Sequence, residues 1–278
     1  MSPPAAALLL YEAPLSPFVE KVKIALREKK LPFERRIPAG IGVGVAEESL
    51  LAANPRSETP ALVDGEVTVF DSSIILEYLE DRWPDPPLRA VSAAARARAR
   101  MIEEVCDTHY EAINWGLYEL VFFERAAGSP LATTLHERAA RDIGCLHRWL
   151  ECQIGDDPFF GGERLGMADL AVAPFVAGSS GLGVAQQPRS ALARWFDAVR
   201  ERPSVAQTFA ESLADIHVLT GAAAARRAGI LKRHYRDHRL EWLVRAGGLQ
   251  VLHDGLATGD VRFTDLDVLA RQRRLATR

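Results

Sequence analysis

Cysteine is scarce in this chain of 278 residues, with Cys106, Cys145 and Cys152 making up the whole set. An odd number without C-x-x-C spacing gives neither a disulfide framework nor a redox or zinc pair. Cys145 and Cys152, two helical turns apart, read instead as a packed helix face. A reducing cytoplasmic setting follows. Long apolar runs are missing as well. The run from Ala5 to Tyr11 is too short and too uncharged at its start for an export signal, and Glu12 ends it, so it reads as a buried strand. Nothing approaches the ~18 apolar residues that span a bilayer, which excludes a membrane partner from the expectation. No surplus of positive charge exists either. The formal net charge is −3, so whole-molecule attraction to nucleic acid is not expected. What remains, 48% apolar and 26% charged residues, is the composition of a globular protein long enough for two domains.

The most informative feature present is Ser16-Pro17-Phe18. It follows the strand-like run Leu8 to Tyr11 and precedes a stretch in which Phe18, Val19, Val22, Ile24, Ala25 and Leu26 recur at helical spacing. Glu20, Lys21, Lys23, Arg27 and Glu28 fill the other face, so residues 17 to 30 read as an amphipathic helix. Ser16 is then the N-cap, accepting from orphan backbone N–H groups, and Pro17 at N1 gives up a donor that would be unpaired anyway. Ordinary capping explains the pair. The same position also sets a hydroxyl beside the positive end of a helix. Farther on, residues 54 to 65 (NPRSETPALVDG) and 66 to 70 read as turn, proline, short strand, tight Asp-Gly turn and short strand, and Asp71-Ser72-Ser73 opens a helix through Asp81. With a strand at 33 to 37, the order becomes β-α-β, a middle segment, then β-β-α, a thioredoxin-like α/β arrangement.

Pro84-Asp85-Pro86-Pro87 cannot continue a helix and marks the linker. The expected organisation is an α/β domain over residues 1–84, a linker at 85–91, an all-α helical-bundle domain over 92–204, and a helical extension over 205–278. Within the second domain, one long helix from Ser92 to about Ala126 is expected, then a partner from Leu131 to Ile154, a core helix in 161–175, and helices at 189–200 and 204–215. In the extension, residues 226 to 245 carry seven Lys/Arg against Asp237 and Glu241, with Leu231, Tyr235, Leu240, Trp242 and Leu243 interleaved. This reads as a basic helix packed by an apolar face, more in keeping with a solvated or subunit-packing surface than with a nucleic-acid site. His234 and His238 have the i, i+4 spacing of a metal pair but no third ligand, and no metal is expected. Gly40-Ile41-Gly42-Val43-Gly44-Val45 lacks both the spacing of a dinucleotide loop and the lysine of a phosphate loop, so it reads as a flexible segment.

Three motifs together, SPFVEKVKIALREK at 16–29, NPRSETPALVDG at 54–65 and DSSIILEYLE at 71–80, resemble the cytosolic glutathione transferases, and most of all the serine-type classes such as tau. The likeness covers about the first three quarters of the chain. It implies glutathione as co-substrate, a homodimer, and Ser16 as the catalytic residue that contacts the glutathione sulfur. A thiol of pKa near ~8.5 is mostly protonated at neutral pH, so lowering that pKa is the central task. The resemblance implies that glutathione is held by Phe18, Glu58, Thr59, Pro60, Asp71 and Ser72. Thr59-Pro60 matches the family's cis-proline turn beside the cysteinyl unit, and Asp71-Ser72, at a helix N-terminus, suits the γ-glutamyl end.

Tyr11 is the alternative sulfur ligand, as in classes that use a tyrosine near the end of the first strand. The electrophile pocket is expected from Leu15, His109, Ile113, Trp115 and Gly116, with His109 read first as a core histidine. Asp169 matches the capping acid of the family's core helix, although Gly166 stands where the reciprocal Ser or Thr belongs, so it is a folding residue. One departure concerns the glycine end. Members often pair its carboxylate with a basic residue between the second strand and the Asn-Pro turn, yet residues 37–55 contain none, which leaves Arg56, or Arg35 and Arg36, as substitutes. The implied activity is glutathione conjugation or leaving-group displacement on a small hydrophobic electrophile. Dehalogenase, etherase and isomerase variants, or a non-catalytic binding or regulatory protein on the same scaffold, are the alternatives.

Overall fold

In a computed structural model of the chain, residues 8–39, 47–233, 235 and 237–274 are described. Ala5–Ala7, the glycine-alternating stretch 40–45, His234 and Arg236 lie outside them. The first unit has strand β1 (Leu8–Tyr11), helix α1 (Pro17–Glu28), strand β2 (Phe33–Arg36), a short helix α2 (Glu48–Ala53), strands β3 (Ala61–Asp64) and β4 (Val67–Phe70), and helix α3 (Ser72–Arg82). The sheet order is β2-β1-β3-β4. β1 pairs parallel with β2 and antiparallel with β3, and β3 pairs antiparallel with β4, which is the thioredoxin-like arrangement the sequence anticipates. Asp64 faces Val67 across the hairpin, so Gly65 and Glu66 form the turn; the positive φ of +60° falls at Gly65, which carries no Cβ penalty there.

The second unit is helical: α4 (Ala93–Val105), a π-helical turn (Cys106–Tyr110), α5 (Glu111–Val121), α6 (Pro130–Ile154), α7 (Met167–Gly181), α8 (Ala191–Arg200) and α9 (Pro203–Ala214). The single long helix expected over 92–126 is therefore interrupted by the widened π turn and stops at Val121. Tyr110, within that turn, is buried and hydrogen-bonded to His147 Nε2 (2.6 Å) and Ser179 Oγ (2.8 Å), partners on two other helices. Apolar periodicity cannot register one inserted residue that serves polar contacts. The core helix starts at Met167 with Asp169 in its first turn, as the capping pattern anticipates, and buried Asp169 accepts from the N–H of Gly166 (2.9 Å) and Phe160 (3.0 Å) and from Trp195 Nε1 (2.7 Å). Gly166 has no side chain to return the bond, so only the acidic half of the capping box exists. α9 runs unbroken across the 204/205 position expected as a boundary.

The largest revision concerns α1. Its charged face, read from sequence simply as the polar side of an amphipathic helix, is covered by α7 and α9, and Lys21 and Lys23 are 0% and 2% exposed. Lys23 Nζ meets Glu12 (3.0 Å) and Glu211 (2.8 Å), Arg27 bonds Glu211 and Thr208, and Glu28 receives Arg202 and Ser204. The linker is fastened similarly. Glu80 accepts from Lys29 (2.6 Å) and from the Leu88 and Arg89 N–H groups.

The extension contains a 3₁₀ turn (Asp215–Leu219), α10 (Ala222–Arg227), α11 (His238–Arg245), α12 (Leu249–Thr258) and α13 (Leu266–Ala270). Residues 226–245 are thus not one basic helix, because α10 ends at Arg227 and α11 begins at His238. Several of their charges meet acids: Arg227 pairs with Glu124, Arg233 with Glu119 and Arg245 with Glu241. At the chain's end, α13 lies on α6, Cys145 Sγ donates to Asp267 Oδ1 (3.1 Å), Cys152 Sγ to the Gln272 carbonyl (3.3 Å), and Arg274 pairs with Asp157.

Buried Glu20 on α1 has its pKa pushed from 4.5 to about 7, chiefly by burial, against lowering contributions from a Ser212 hydrogen bond and Lys23. The folded chain therefore holds a proton that the unfolded chain releases between those two values, and stability falls as pH rises through that window. Glu20→Gln is expected to unfold with wild-type stability near pH 4 and to be more stable by up to about 3 kcal/mol at pH 8. Urea melts of both proteins at the two pH values check this, and an equal difference at both would refute it.

Candidate active site

Strand register brings the motifs to one end of the sheet. Tyr11 faces Ala61 across β1 and β3, and Ala61 faces Phe70 across β3 and β4. The segment leading to Ser16, the Thr59–Pro60 step and the Asp71–Ser72 step all adjoin that rung, so residues distant in sequence share an edge. The Thr59–Pro60 peptide is cis. Pro60 is buried, and the Asn54 side-chain amide braces the turn by donating to the Glu58 carbonyl (2.9 Å).

Ser16 is the N-cap of α1 and Pro17 its first residue, as the sequence indicates, but the hydroxyl makes no capping bond. The backbone serves the helix instead: the Ser16 carbonyl accepts from the Val19 and Glu20 N–H groups, each at 3.0 Å. The side chain lines a cleft of about 250 Å³. Leu15, Phe18, Glu58, Thr59 and Trp115 line the same cleft, together with Glu111, Tyr118, Phe122, Phe123, Leu219, Lys232 and Arg233. Phe18 also packs edge-on against Phe175 of α7, joining the cleft wall to the core.

Other expected residues lie elsewhere. Tyr11 is 4% exposed in a small core with Leu50, Ala53 and Ala61, and Arg36 stacks on its ring at 5.7 Å. Asp71 and Ser72 sit at the start of α3 and do not line the cleft itself. Asp71 Oδ1 accepts from the Ser73 N–H (3.1 Å), so the carboxylate caps its own helix, with a backbone φ of +74° that a non-glycine residue rarely adopts. His109 lies half-buried in the π turn, Ile113 packs against the main core, and Gly116 is half-buried; none of the three lines the cleft. Leu15 and Trp115, also expected there, do line it, and the helical side of the wall is formed by Glu111, Trp115 and Tyr118 on α5 with Phe122 and Phe123 just after it.

The extension supplies part of this wall, through Leu219, Lys232 and Arg233. Arg233 pairs with Glu119 and lies over the rings of Phe123 (4.0 Å) and Trp115 (5.2 Å), while Tyr235 meets Trp115 edge-on at 4.5 Å. Sequence reasoning missed the buried cation behind the site. Lys21 Nζ contacts Asp107 Oδ2 (2.6 Å), Glu103 Oε1 (2.7 Å) and Ser73 Oγ (3.4 Å), and Ser73 Oγ donates to Glu103 (2.7 Å). Burial pushes Asp107 up to about 6 although Lys21 opposes it. Lys21 is itself held above its ordinary value, burial being outweighed by the two carboxylates.

Comparison with known proteins places these motifs in context. Residues 10–87 match the family model described as the glutathione S-transferase N-terminal domain. Glutathione S-transferase GstB of Escherichia coli (strain K12) is 30% identical over 198 residues, covering 67% of this chain and 90% of that protein. A crystal structure of rice GST1 (OsGSTU1) in complex with glutathione superposes with a TM-score of 0.65 at 27% identity, covering 78% of this chain and 96% of that one. A stringent starvation protein A homolog from Coxiella burnetii is 26% identical over 217 residues, covering 77% of this chain and 97% of that protein.

Lys21→Ala would leave two carboxylates buried without their cation. A loss of about 3–5 kcal/mol is expected, because removing one partner of a buried pair strands the other charge. Chemical denaturation measures it, and a loss under 1 kcal/mol would mean that solvent replaces the lysine at no cost.

Proposed function

The chain belongs to the glutathione S-transferase family, and from that premise we propose that it binds glutathione and activates its thiol, through Ser16, for attack on a small hydrophobic electrophile. One observation carries this reading: a helix-capping serine whose hydroxyl is not used for the cap and lines a cleft beside Thr59. The Ser16 hydroxyl donates to the sulfur, and the positive end of α1 adds a field that favours thiolate. Each contributes ~1 kcal/mol, together about one to two pKa units.

The remaining contacts follow from placement. Thr59 offers its backbone to the cysteinyl unit in the manner of an added strand, with Phe18 and Glu58 flanking it. The start of α3, with Ser72 at its first turn, offers N–H groups and a hydroxyl to the γ-glutamyl carboxylate. Leu15, Trp115, Tyr118 and Phe122 form the apolar wall against which an electrophile would rest. The reaction is nucleophilic: sulfur bonds to the electrophilic carbon as a leaving group departs or a double bond takes up the electron pair. A homodimer, in which the first unit of one subunit packs on the helical unit of the other, is part of this proposal. No described helix is long and apolar enough to cross a membrane.

A second reading, a transferase-like regulatory protein without turnover, draws on the similarity to the stringent starvation protein A homolog and on the basic residue missing from 37–55. Calorimetric titration with glutathione, combined with thiolate absorbance of the complex, separates the two. The expected result is binding by wild type and by Ser16→Ala within a few-fold, with the bound thiol pKa about half a unit to one unit higher in the variant, the share of the hydroxyl alone, and kcat/KM reduced in proportion. No binding at millimolar glutathione would favour the regulatory reading. An unchanged thiol pKa in Ser16→Ala would move the sulfur contact to another group, Tyr11 first.

A further inference from the structure

At neutral pH glutathione carries a thiol, an ammonium and two carboxylates. If the start of α3 takes the γ-glutamyl end and Thr59 the cysteinyl unit, the glycine carboxylate still needs a cation. Residues 37–55 supply none. The nearby arginines are already paired. Arg35 is held by Glu12, Glu211 and Asp215, Arg36 by Glu47, and Arg56 by Glu58. Among the described residues, two further cations line the cleft, and both come from the extension. Arg233 is paired with Glu119 and pressed against Phe123 and Trp115. Lys232, exposed and beside it in sequence, has no ion-pair partner among the described residues, yet lines the same cleft as Ser16, Glu58 and Thr59.

We infer that Lys232, brought into the cleft by the C-terminal extension, is the cation that receives the glycine carboxylate, replacing a residue that the first unit lacks. The inference rests on the cleft being a glutathione site. Arg233 acts as the anchor: its pairing with Glu119 and its two ring contacts fix the backbone from which Lys232 projects. An ammonium on a flexible stem suits this role, because it reaches a carboxylate as a point charge without the fixed planar geometry a guanidinium demands. The extension thereby becomes part of the binding site for the common co-substrate, and not only a cover for the variable one.

The test compares glutathione with its glycine-ethyl ester, which keeps the thiol and γ-glutamyl end but has no charge at glycine. Dissociation constants are measured by calorimetry for wild type, Lys232→Ala and Lys232→Arg. Wild type is expected to prefer the acid over the ester about five- to tenfold, as for a partly exposed charge pair, with the preference shrinking as salt is added. Lys232→Ala should bind both with the affinity of the ester, and Lys232→Arg should recover part of the preference. Because the side chain is exposed, the variants should keep the wild-type melting temperature. An Ala variant that retains the full preference, or a wild type that shows none, overturns the assignment. Loss of binding confined to carboxylate-bearing electrophiles, with the preference for the acid intact, overturns it too. If wild type binds neither ligand at millimolar concentration, the reading of the cleft as a glutathione site fails and takes this assignment with it; that result is distinct because every variant is then silent.

Discussion

The contact of Lys21 with Glu103 and Asp107 holds the two units in one geometry. A lysine fully shut off from solvent is tolerable only because two carboxylates and the Ser73 hydroxyl surround it. Those partners come from three elements. Lys21 lies on the helix that Ser16 begins, Ser73 on the helix that follows Asp71-Ser72, and Glu103 and Asp107 lie on the helical side, at the end of α4 and in the π turn. The two helix starts, at Pro17 and at Ser72, are thereby referenced to a common point. A shift of the helical unit against the sheet would separate charges that cannot be resolvated in place. Lys23, Arg27 and Glu28 repeat the arrangement farther along α1, toward α9.

The cleft follows from this clamp. One wall is the sheet edge with its cis proline, another is α5 with the aromatic residues around its end, and the third is the extension. One apolar core runs through both units, and the ion pairs along α1 add to it where the units meet. Backbone and helix ends form one side of the cleft and side chains the other, and the side chains change more readily without loss of the fold.

Much of the first unit is readable in the residues themselves. Ser16-Pro17, the Asp-Gly hairpin and the Asp71 cap are local signals, set by turn chemistry within a few positions, and the structure has them within a residue or two. Asp169 is similarly legible because a capping acid acts on its own turn. Lys21 shows where such reading fails. On a helical wheel a lysine among apolar residues marks the solvent side, and nothing nearby in sequence reveals that Glu103 and Asp107, more than eighty residues away, will cover it. The π turn escaped for a related reason, since its purpose is to direct Asp107 and Tyr110 to distant partners. On one unbroken helix His109 shares a stripe with Ile113 and Gly116; the π turn ends that register at Tyr110, so His109 sits apart from Trp115 and Tyr118, which line the cleft. The basic stretch at 226–245 invites a continuous helix because composition records charge but not the acids it meets, Glu119 on α5 and Glu124 just after it.

The extension is fixed at two places. Near the cleft Arg226 donates to the Phe123 carbonyl and Arg233 meets Glu119; at the other end α13 and the residues after it lie along α6, over Cys145 and Cys152. A strap buckled at both ends behaves differently from a loose tail. Its middle can yield only by the slack between the buckles, so ligand exchange works against a tether of fixed length. Shortening the chain from its terminus would undo the far buckle first, baring two thiols on α6 while the contacts at the cleft stayed in place. The reactivity of those thiols is thus a gauge of whether the strap is fastened.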